Sequence, residues 1–270
     1  LERITFRPRM LVNVSNLDLT VELFGEKMFA PILVGPASRQ QRVHPEGELA
    51  TARGASAAKA VTVVGSRSSF PLDQIAAQAK AGFWHQVFPE PDLGAVRARV
   101  QQAVKAGCKA LCVTVGTPQR PLDWSGVDRL RQGLSVPVLL KGIMSPEEAR
   151  TAVQNGAQGI IVSNHGGRFV PGLASPIEVL APIVDAVGGK VPVLIDGGLR
   201  RGTDIIKALA LGARAVLITR PVLWGLAAYG AGGVQAVVEM LQTELARNMG
   251  LAGKPNLKDL DRSMLKFHRL

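Results

Sequence analysis

The residues best suited to chemistry lie in one stretch, which reads G-I-I-V-S-N-H-G-G-R from Gly159 to Arg168. Its first four residues are typical of a buried strand, and polar residues follow at once. The ordinary pKa of a histidine such as His165 suits proton transfer near neutral pH, and Arg168 offers a planar fork of donors for a carboxylate or phosphate. The pattern predicts a catalytic base beside an anion-binding arginine. The competing interpretation is a strand-end histidine next to a solvated surface charge.

A second polar segment, D-G-G-L-R-R-G-T-D, begins at Asp196 after another apolar run, and Thr219 and Arg220 end the next run. Glycine lets the backbone approach an anion closely, and backbone N–H groups and arginines bind phosphate at such loops. The segment therefore predicts a phosphate site, in competition with a tight turn that carries surface arginines. Its expected members are Gly197, Gly198, Arg200 and Arg220.

A single lysine, Lys141, comes directly after the apolar residues V-P-V-L-L. Its stem should be buried, and because an unpaired buried charge is costly we expect an anionic partner. Three roles are open for it: a structural ion pair, a Schiff-base nucleophile, or stabilisation of negative charge on a cofactor ring near the phosphate site.

Eight short apolar runs alternate with segments of helical composition, and these elements must position the polar residues. The runs are 31–35, 60–66, 83–88, 110–116, 136–142, 159–164, 191–197 and 215–220, and the helical segments are 46–59, 71–81, 93–106, 123–133, 146–155, 175–187, 203–211 and 233–249. Continuously apolar strands are covered on both faces, which indicates parallel strands wrapped by helices. Eight of them predict an α/β fold of the TIM (β/α)8 barrel type. No G-x-G-x-x-G follows the first run to favour a dinucleotide fold.

Length and composition are consistent with one barrel domain over 1–270, in which 1–29 form an N-terminal lead-in segment. Hydrophobic residues make up 47% of the chain, and no uninterrupted apolar run reaches the roughly 18 residues of a membrane helix. Two cysteines are too few for a disulfide framework, so we expect a reducing, cytoplasmic setting. Nothing indicates a metal site.

The net charge of +11 raises the possibility of a nucleic-acid partner. Lysines and arginines are scattered singly, however, and aromatic residues are only 4% of the chain. We therefore expect no nucleic-acid partner. Anionic ligands explain the charge as well, and so would a peripheral membrane contact, which nothing else in the sequence indicates.

In a barrel of this kind, functional residues follow the strands. This rule selects a set of candidates that includes the residues already described. They are Ala37, Ser38, Ser66, Gln86, Thr114, Lys141, Ser163, His165, Arg168, Asp196, Gly197, Gly198, Arg200, Thr219 and Arg220.

The combination resembles the FMN-dependent 2-hydroxy acid oxidases and dehydrogenases. The resemblance rests on five motifs: R-P-R-M-L at Arg7, H-P-E-G-E at His44, V-P-V-L-L-K-G-I at Val136, G-I-I-V-S-N-H-G-G-R at Gly159, and D-G-G-L-R-R-G-T-D-I-I-K-A-L-A-L-G-A-R-A-V at Asp196. It implies a TIM barrel, an FMN cofactor, a small 2-hydroxy acid substrate and a homotetramer.

The resemblance also implies roles for individual residues. His165 would take a proton from the substrate while two electrons pass to the flavin, Arg168 would hold the substrate carboxylate, and Lys141 would lie near flavin N1 and O2. Ring contacts would come from Gln86, Thr114 and Ser163 and from the backbone of Ala37 and Ser38. Asp196, Gly198, Arg200 and Arg220 would secure the ribityl phosphate end, and Ser66, Gly197 and Thr219 complete the expected cofactor site.

Several positions depart from the family pattern. Gly116 replaces the aspartate that partners the histidine, and Phe88 replaces a tyrosine that contacts substrate. Arg67 replaces an aromatic or small residue over the flavin, and the segment 169–171 is more apolar than usual. The long loop after Thr117 is shortened, and Arg120 is a candidate for its arginine. Two alternatives to the oxidase therefore remain open: a flavin barrel with non-redox, isomerase-like activity, and a flavin-binding protein with weak catalysis.

Overall fold

The structure is a computed structural model, and it describes residues 1–117, 123–169 and 172–268. Arg120 and the pair 170–171, which the sequence analysis singled out, lie outside the described residues. Three short strands precede the barrel: β1 (Ile4–Phe6), β2 (Val21–Leu23) and β3 (Glu26–Met28).

Eight parallel strands form a closed barrel, which confirms the predicted TIM fold. They are β4 (Ile32–Val34), β5 (Thr62–Gly65), β6 (Phe83–Val87), β7 (Leu111–Thr114), β8 (Val138–Ile143), β9 (Gly159–Val162), β10 (Val193–Asp196) and β11 (Ala215–Ile218). Around the barrel the order is β10-β11-β4-β5-β6-β7-β8-β9. Seven strands fall inside the predicted runs, and β8 extends one residue beyond its run.

Eight helices accompany the strands in the described part of the chain. They are α1 (Gly47–Ala57), α2 (Leu72–Gln78), α3 (Leu93–Lys105), α4 (Trp124–Arg131), α5 (Pro146–Gln154), α6 (Pro176–Val187), α7 (Gly202–Ala210) and α8 (Arg220–Leu251). Three of them, α3, α4 and α5, begin with a side chain that accepts a hydrogen bond from a backbone N–H of the first turn. At the start of α5, for example, the Ser145 hydroxyl accepts from the Glu148 N–H at 3.2 Å.

Helix α8 differs from the prediction, which placed only 233–249 in a helix and ended the last strand at Arg220. The strand ends at Ile218 and the helix begins at Arg220, with a break at Tyr229 and at Gly230, where φ is 56°. A Cβ added to Gly233 would lie 1.9 Å from the Gly225 carbonyl oxygen, so the two halves pack closely. Glycines on both sides of the break weaken the helical pattern in the sequence, which is why the first half was missed.

By length and composition alone, α8 is apolar enough to cross a membrane, and 39% of its most apolar window is buried inside the fold. The second half packs on α1, where a Cβ added to Gly54 would lie 2.2 Å from the Ala231 carbonyl oxygen.

The ends of the chain add two antiparallel pairs that the sequence analysis did not foresee. Strand β1 pairs with β12 (Leu265–Phe267), and β2 pairs with β3. Val21, Leu23 and Met28 of the β2–β3 hairpin join the cluster that fills the barrel interior, and Phe24 makes an edge contact with Trp84 at 5.7 Å. The hairpin thereby closes the end of the barrel where the strands begin.

The strands separate two hydrophobic layers. One lies between strands and helices, and the other fills the barrel with one or more side chains from each strand, including Trp84, Cys112, Leu139, Ile161 and Leu194. Because side chains alternate along a strand, the residue two positions further along also points inward. Those residues are Gln86, Thr114, Lys141, Ser163 and Asp196. The apolar interior is thus followed by a polar ring where the strands end.

Candidate active site

Three neighbouring strands bring Lys141, Ser163 and Asp196 together in the polar ring. Lys141 Nζ lies 2.6 Å from Asp196 Oδ2 and donates to Ser163 Oγ at 2.9 Å, and Ser163 Oγ donates to Asp196 Oδ2 at 3.1 Å. Lys141 is only 4% exposed, and Asp196 is the anionic partner that such burial requires. The lysine is therefore held at a fixed point of the barrel mouth, paired with a carboxylate.

His165 follows β9 in an uncommon backbone conformation, with φ at 55°. Its backbone N–H donates to Ser163 Oγ at 3.1 Å, which ties the histidine to the Lys141 cluster. Side-chain Nε2 lies 3.0 Å from the backbone carbonyl oxygen of Val115. Because a carbonyl only accepts, Nε2 donates in this contact, and the other nitrogen of a neutral imidazole is left as the acceptor that a base needs.

The pKa of His165 is lowered to about 4, first by burial and then by the positive charge of Lys141. The imidazole is therefore neutral at pH 7, as a proton acceptor must be. Gly116 leaves the histidine without the aspartate that the family resemblance implies as its partner. The neighbouring Val115 carbonyl orients the ring instead.

Aromatic side chains cover the base and the opposite wall. The rings of His165 and Phe169 meet edge to face at 5.2 Å, and the Arg67 guanidinium lies over the Phe88 ring at 5.0 Å. Arg168 Nε donates to the His165 carbonyl oxygen at 2.9 Å, so this exposed arginine is anchored to the histidine loop.

These groups surround a cavity of about 450 Å³, a size typical of small-molecule sites. Twelve of the fifteen candidates from the sequence line it: Ala37, Ser38, Gln86, Lys141, His165, Arg168, Asp196, Gly197, Gly198, Arg200, Thr219 and Arg220. Thr114 and Ser163 do not line the cavity but accept hydrogen bonds from residues that do. Thr114 accepts from Gln86, and Ser163 accepts from Lys141. Ser66 is half-buried near the end of β5.

The sequence analysis missed some of the lining. Thr117 comes from a loop, and Leu199 is the apolar member of the predicted phosphate segment. Pro221 and Leu223 come from the unpredicted first half of α8, for which the proline at the helix start was the available signal.

The predicted phosphate segment has the backbone that close approach requires. Gly197 and Gly198 have φ values of 107° and 80°, which disfavour any other residue. The following loop is fixed because Asp204 accepts hydrogen bonds from the N–H groups of Arg200 and Arg201, at 3.0 and 3.1 Å. Arg220 stands at the N-terminus of α8, where the helix dipole also favours an anion.

Thr219, which follows β11, packs against the glycine that follows the neighbouring strand β4. A Cβ added to Gly35 would lie 2.2 Å from Thr219 Oγ1. The absence of a side chain at Gly35 therefore leaves the space that the threonine hydroxyl fills.

The residues present fit FMN. Positive charge gathers where a phosphate would bind, amide and hydroxyl groups lie on the β6 and β7 side, and Lys141 can stabilise a negative ring. Ser66 Oγ is buried with no hydrogen-bond partner in the described part of the chain, so a polar ligand atom would satisfy it.

Comparison with known proteins agrees with this geometry. The family described as FMN-dependent dehydrogenase matches residues 1–121 and 116–267. An L-lactate oxidase from Nostoc sp. is 40% identical over 318 positions, covering 98% of this chain and 87% of its own. Glycolate oxidase from Spinacia oleracea is 37% identical, covering 97% and 84%. A structure of mandelate oxidase with a monooxide FMN adduct is 41% identical with a TM-score of 0.93, covering 99% and 88%.

The alignments also bear on the shortened loop. The alignment with the lactate oxidase spans 318 positions, more than the 270 residues of this chain, so that relative has residues without a counterpart here. The two family segments meet around 116–121, next to the undescribed residues. This supports the prediction that the loop after Thr117 is shorter than in the family. The comparisons favour the oxidase over the isomerase-like and weakly catalytic alternatives.

Proposed function

Because the chain belongs to the FMN-dependent dehydrogenase family, we propose that it oxidises a small 2-hydroxy acid to the 2-oxo acid with FMN as its cofactor. One observation carries the proposal. The neutral imidazole of His165 stands at the cavity wall, anchored through Ser163 to the Lys141–Asp196 pair, with Arg168 beside it. The site therefore combines a base, a carboxylate binder and a buried cation.

Arg168 binds the substrate carboxylate. Its Nε atom is engaged with the His165 carbonyl oxygen, which directs the rest of the fork toward the cavity. A guanidinium pairs with a carboxylate through two parallel hydrogen bonds, so it fixes orientation as well as position. The substrate hydroxyl is thereby presented to the neighbouring imidazole.

His165 takes one proton as the alcohol carbon is oxidised to a carbonyl. The oxidation removes two electrons and two protons from the substrate, and bound FMN would accept the two electrons together with the proton that His165 does not take. The imidazolium that forms keeps its hydrogen bond to the Val115 carbonyl and feels the charge of Asp196, which raises its pKa. The positive charge of Lys141 lowers the pKa of the same imidazolium, so the proton is readily released after the reaction.

Lys141 and its partners hold the ring end of the cofactor. Because Asp196 and Ser163 occupy two sides of the ammonium group, its position is fixed before the ligand binds. Gln86 bonds to Thr114 within the adjoining wall, which orients the Gln86 amide. Arg200 and Arg220 bind the phosphate at the other end.

The finer features of the proposal concern assembly and location. We propose a homotetramer, supported by large apolar side chains on the described surface, such as Leu11, Trp224 and Tyr229. We also propose a cytoplasmic setting, supported by two free, buried cysteines, Cys108 and Cys112. Light scattering during size-exclusion chromatography tests the first, and a monomeric mass would contradict it.

The activity is tested by mixing the purified, FMN-loaded protein with 2-hydroxy acids in the absence of oxygen. The expected result is bleaching of the flavin absorbance and formation of one 2-oxo acid per flavin. A protein that takes up no FMN, or whose flavin is bleached by no acid in a panel from glycolate to mandelate, would contradict the proposal.

A further inference from the structure

The side chain of Arg200 rests against a surface tryptophan at the edge of the cavity. Its guanidinium carbon lies 5.7 Å from the centre of the Trp224 ring, within the roughly 6 Å over which a cation is attracted to an aromatic ring. Trp224 belongs to the first half of α8 and is 55% exposed, so packing in the core does not account for its position. The contact with Arg200 gives this exposed ring a defined partner.

Trp224 shares a helix face with the second arginine of the phosphate site, Arg220. The two residues are four apart in α8, and side chains at this spacing are neighbours, with Cβ atoms about 5 to 6 Å apart. Arg200 comes from the loop after β10, and the next strand around the barrel, β11, leads into α8. A ring on this face that contacts Arg200 therefore brings the two arginines to the same side of the cavity, which both of them line.

Arg200 is held at two points that do different work. Its backbone N–H donates to Asp204 Oδ2 at 3.0 Å, which fixes the loop, and the Trp224 ring supports the side chain. A carboxylate partner would occupy guanidinium donors that a phosphate needs, whereas a ring attracts the positive charge and leaves the in-plane donors available. Two neighbouring arginines also repel each other, and attraction to the ring offsets part of that repulsion.

We propose that Trp224 is a positioning residue for the cofactor phosphate: its ring holds Arg200 beside Arg220, so that both guanidinium groups bind the same phosphate. Trp224 is not among the residues that line the cavity, so it acts through the arginine and not on the ligand. This inference rests on the part of the proposed function that assigns Arg200 and Arg220 to the FMN phosphate.

The test compares two flavins that differ only in the phosphate. FMN and riboflavin are titrated separately into the apoprotein of the wild type, Trp224→Leu, Trp224→Gln and Trp224→Phe, and binding is followed by flavin fluorescence. The wild type should bind FMN more tightly than riboflavin. Trp224→Leu and Trp224→Gln should weaken FMN binding by about 3- to 10-fold and leave riboflavin binding unchanged. Trp224→Phe should retain most of the FMN affinity, because it keeps an aromatic ring at this position.

A double-mutant cycle shows whether the tryptophan acts through the arginine. In the background of Arg200→Met, the further change Trp224→Leu should cause no additional loss of FMN affinity, because the side chain that the ring positions is already absent. Tyr229→Leu is the matched control, since Tyr229 is another exposed aromatic residue in the first half of the same helix. This control should bind FMN as the wild type does.

Several results would overturn the role of Trp224. Equal losses for FMN and riboflavin would mean general damage to the site, and fully additive losses in the cycle would mean that the ring does not act through Arg200. An affinity loss confined to variants whose mass by light scattering falls below that of the wild type would assign the ring to subunit contacts. If no 2-hydroxy acid bleaches the flavin of the loaded protein, the oxidase proposal fails, and the titrations still decide the role of Trp224.

Discussion

The Nε2 atom of His165 lies 3.0 Å from the backbone carbonyl oxygen of Val115, the residue directly before Gly116. A backbone dipole thus orients the imidazole at the point where the family resemblance implies an aspartate. A carbonyl can orient the ring, but it stabilises an imidazolium less than a full negative charge does. The histidine is therefore well positioned as a base, and its cationic form is weakly supported.

Restoring a carboxylate at Gly116 should strengthen the base. A Cβ at this position would lie 3.8 Å from His165 Nε2 and 3.3 Å from the Gly142 carbonyl oxygen, and aspartate tolerates the local φ of 72° better than most residues. In Gly116→Asp the new charge should raise the pKa of His165. The acidic limb of the pH profile of kcat/KM should then move up by about one to two pH units, with faster flavin reduction.

Gly116→Asn is the matched control, since it adds a side chain of the same size without the charge. Its acidic limb should stay where the wild-type limb is. Equal profiles for the aspartate and asparagine variants would show that the imidazole does not respond to charge at this position.

We predict that the Phe169 ring helps to keep the pKa of His165 low. Its ring meets His165 edge to face, and burial is the largest cause of the low histidine pKa. In Phe169→Ala the pKa of His165 should rise toward its ordinary value, so the acidic limb of kcat/KM moves to higher pH. Phe169→Leu retains apolar cover and should shift the limb less. An unchanged limb in Phe169→Ala would exclude this ring as the source of the low pKa.

Arg200 should contribute to FMN affinity, and its neighbour Arg201 should not. Arg200 lines the cavity and lies over the Trp224 ring, whereas Arg201 is exposed and is not among the residues that line it. Loss of a charged contact to phosphate in Arg200→Met should raise the dissociation constant of FMN by about 10- to 100-fold.

Fluorescence titration of FMN with the apoprotein measures this effect, with Arg201→Met as the matched control. If the two variants lose FMN affinity equally, the loss reflects the net charge of the protein, and the phosphate site has been assigned to the wrong residues.

His85 should make the fold sensitive to acid. It is 3% exposed, and burial lowers its pKa to about 4. The ordinary pKa of histidine, about 6.5, applies in the unfolded chain. Between about pH 6.5 and 4 the unfolded chain therefore binds a proton at His85 and the folded chain does not, so the free energy of unfolding falls as the pH falls through this window. The loss attributable to His85 is roughly 3 kcal/mol.

Urea denaturation at pH 7 and pH 4 measures this loss. His85→Gln should lose less stability on acidification than the wild type, whereas His268→Gln, at an exposed position, should lose as much. A wild-type loss that persists in His85→Gln would show that other groups cause it.

The sequence predicted the barrel and most of the lining because both follow from alternation along strands. Lys141, Ser163 and Asp196 each come two residues after an apolar side chain that fills the barrel. Once the barrel fold is assumed, this spacing is enough to predict that the three side chains lie close together. The contact between His165 and the Val115 carbonyl was missed because every residue has a backbone carbonyl, so the residue type at 115 gives no sign of it. Residue types alone also failed to indicate that the two halves of α8 pack against each other through Gly225 and Gly233, because this packing depends on contacts between separate segments.

The assignment of His165 as the base is tested most directly by single-turnover flavin reduction in His165→Asn. Loaded with FMN and mixed anaerobically with the best 2-hydroxy acid, this variant should reduce its flavin about 10²- to 10⁴-fold more slowly than the wild type, which is the usual contribution of a general base. The variant should still bind the acid, as seen in the flavin spectrum. Flavin reduction at the wild-type rate in His165→Asn would contradict the assignment.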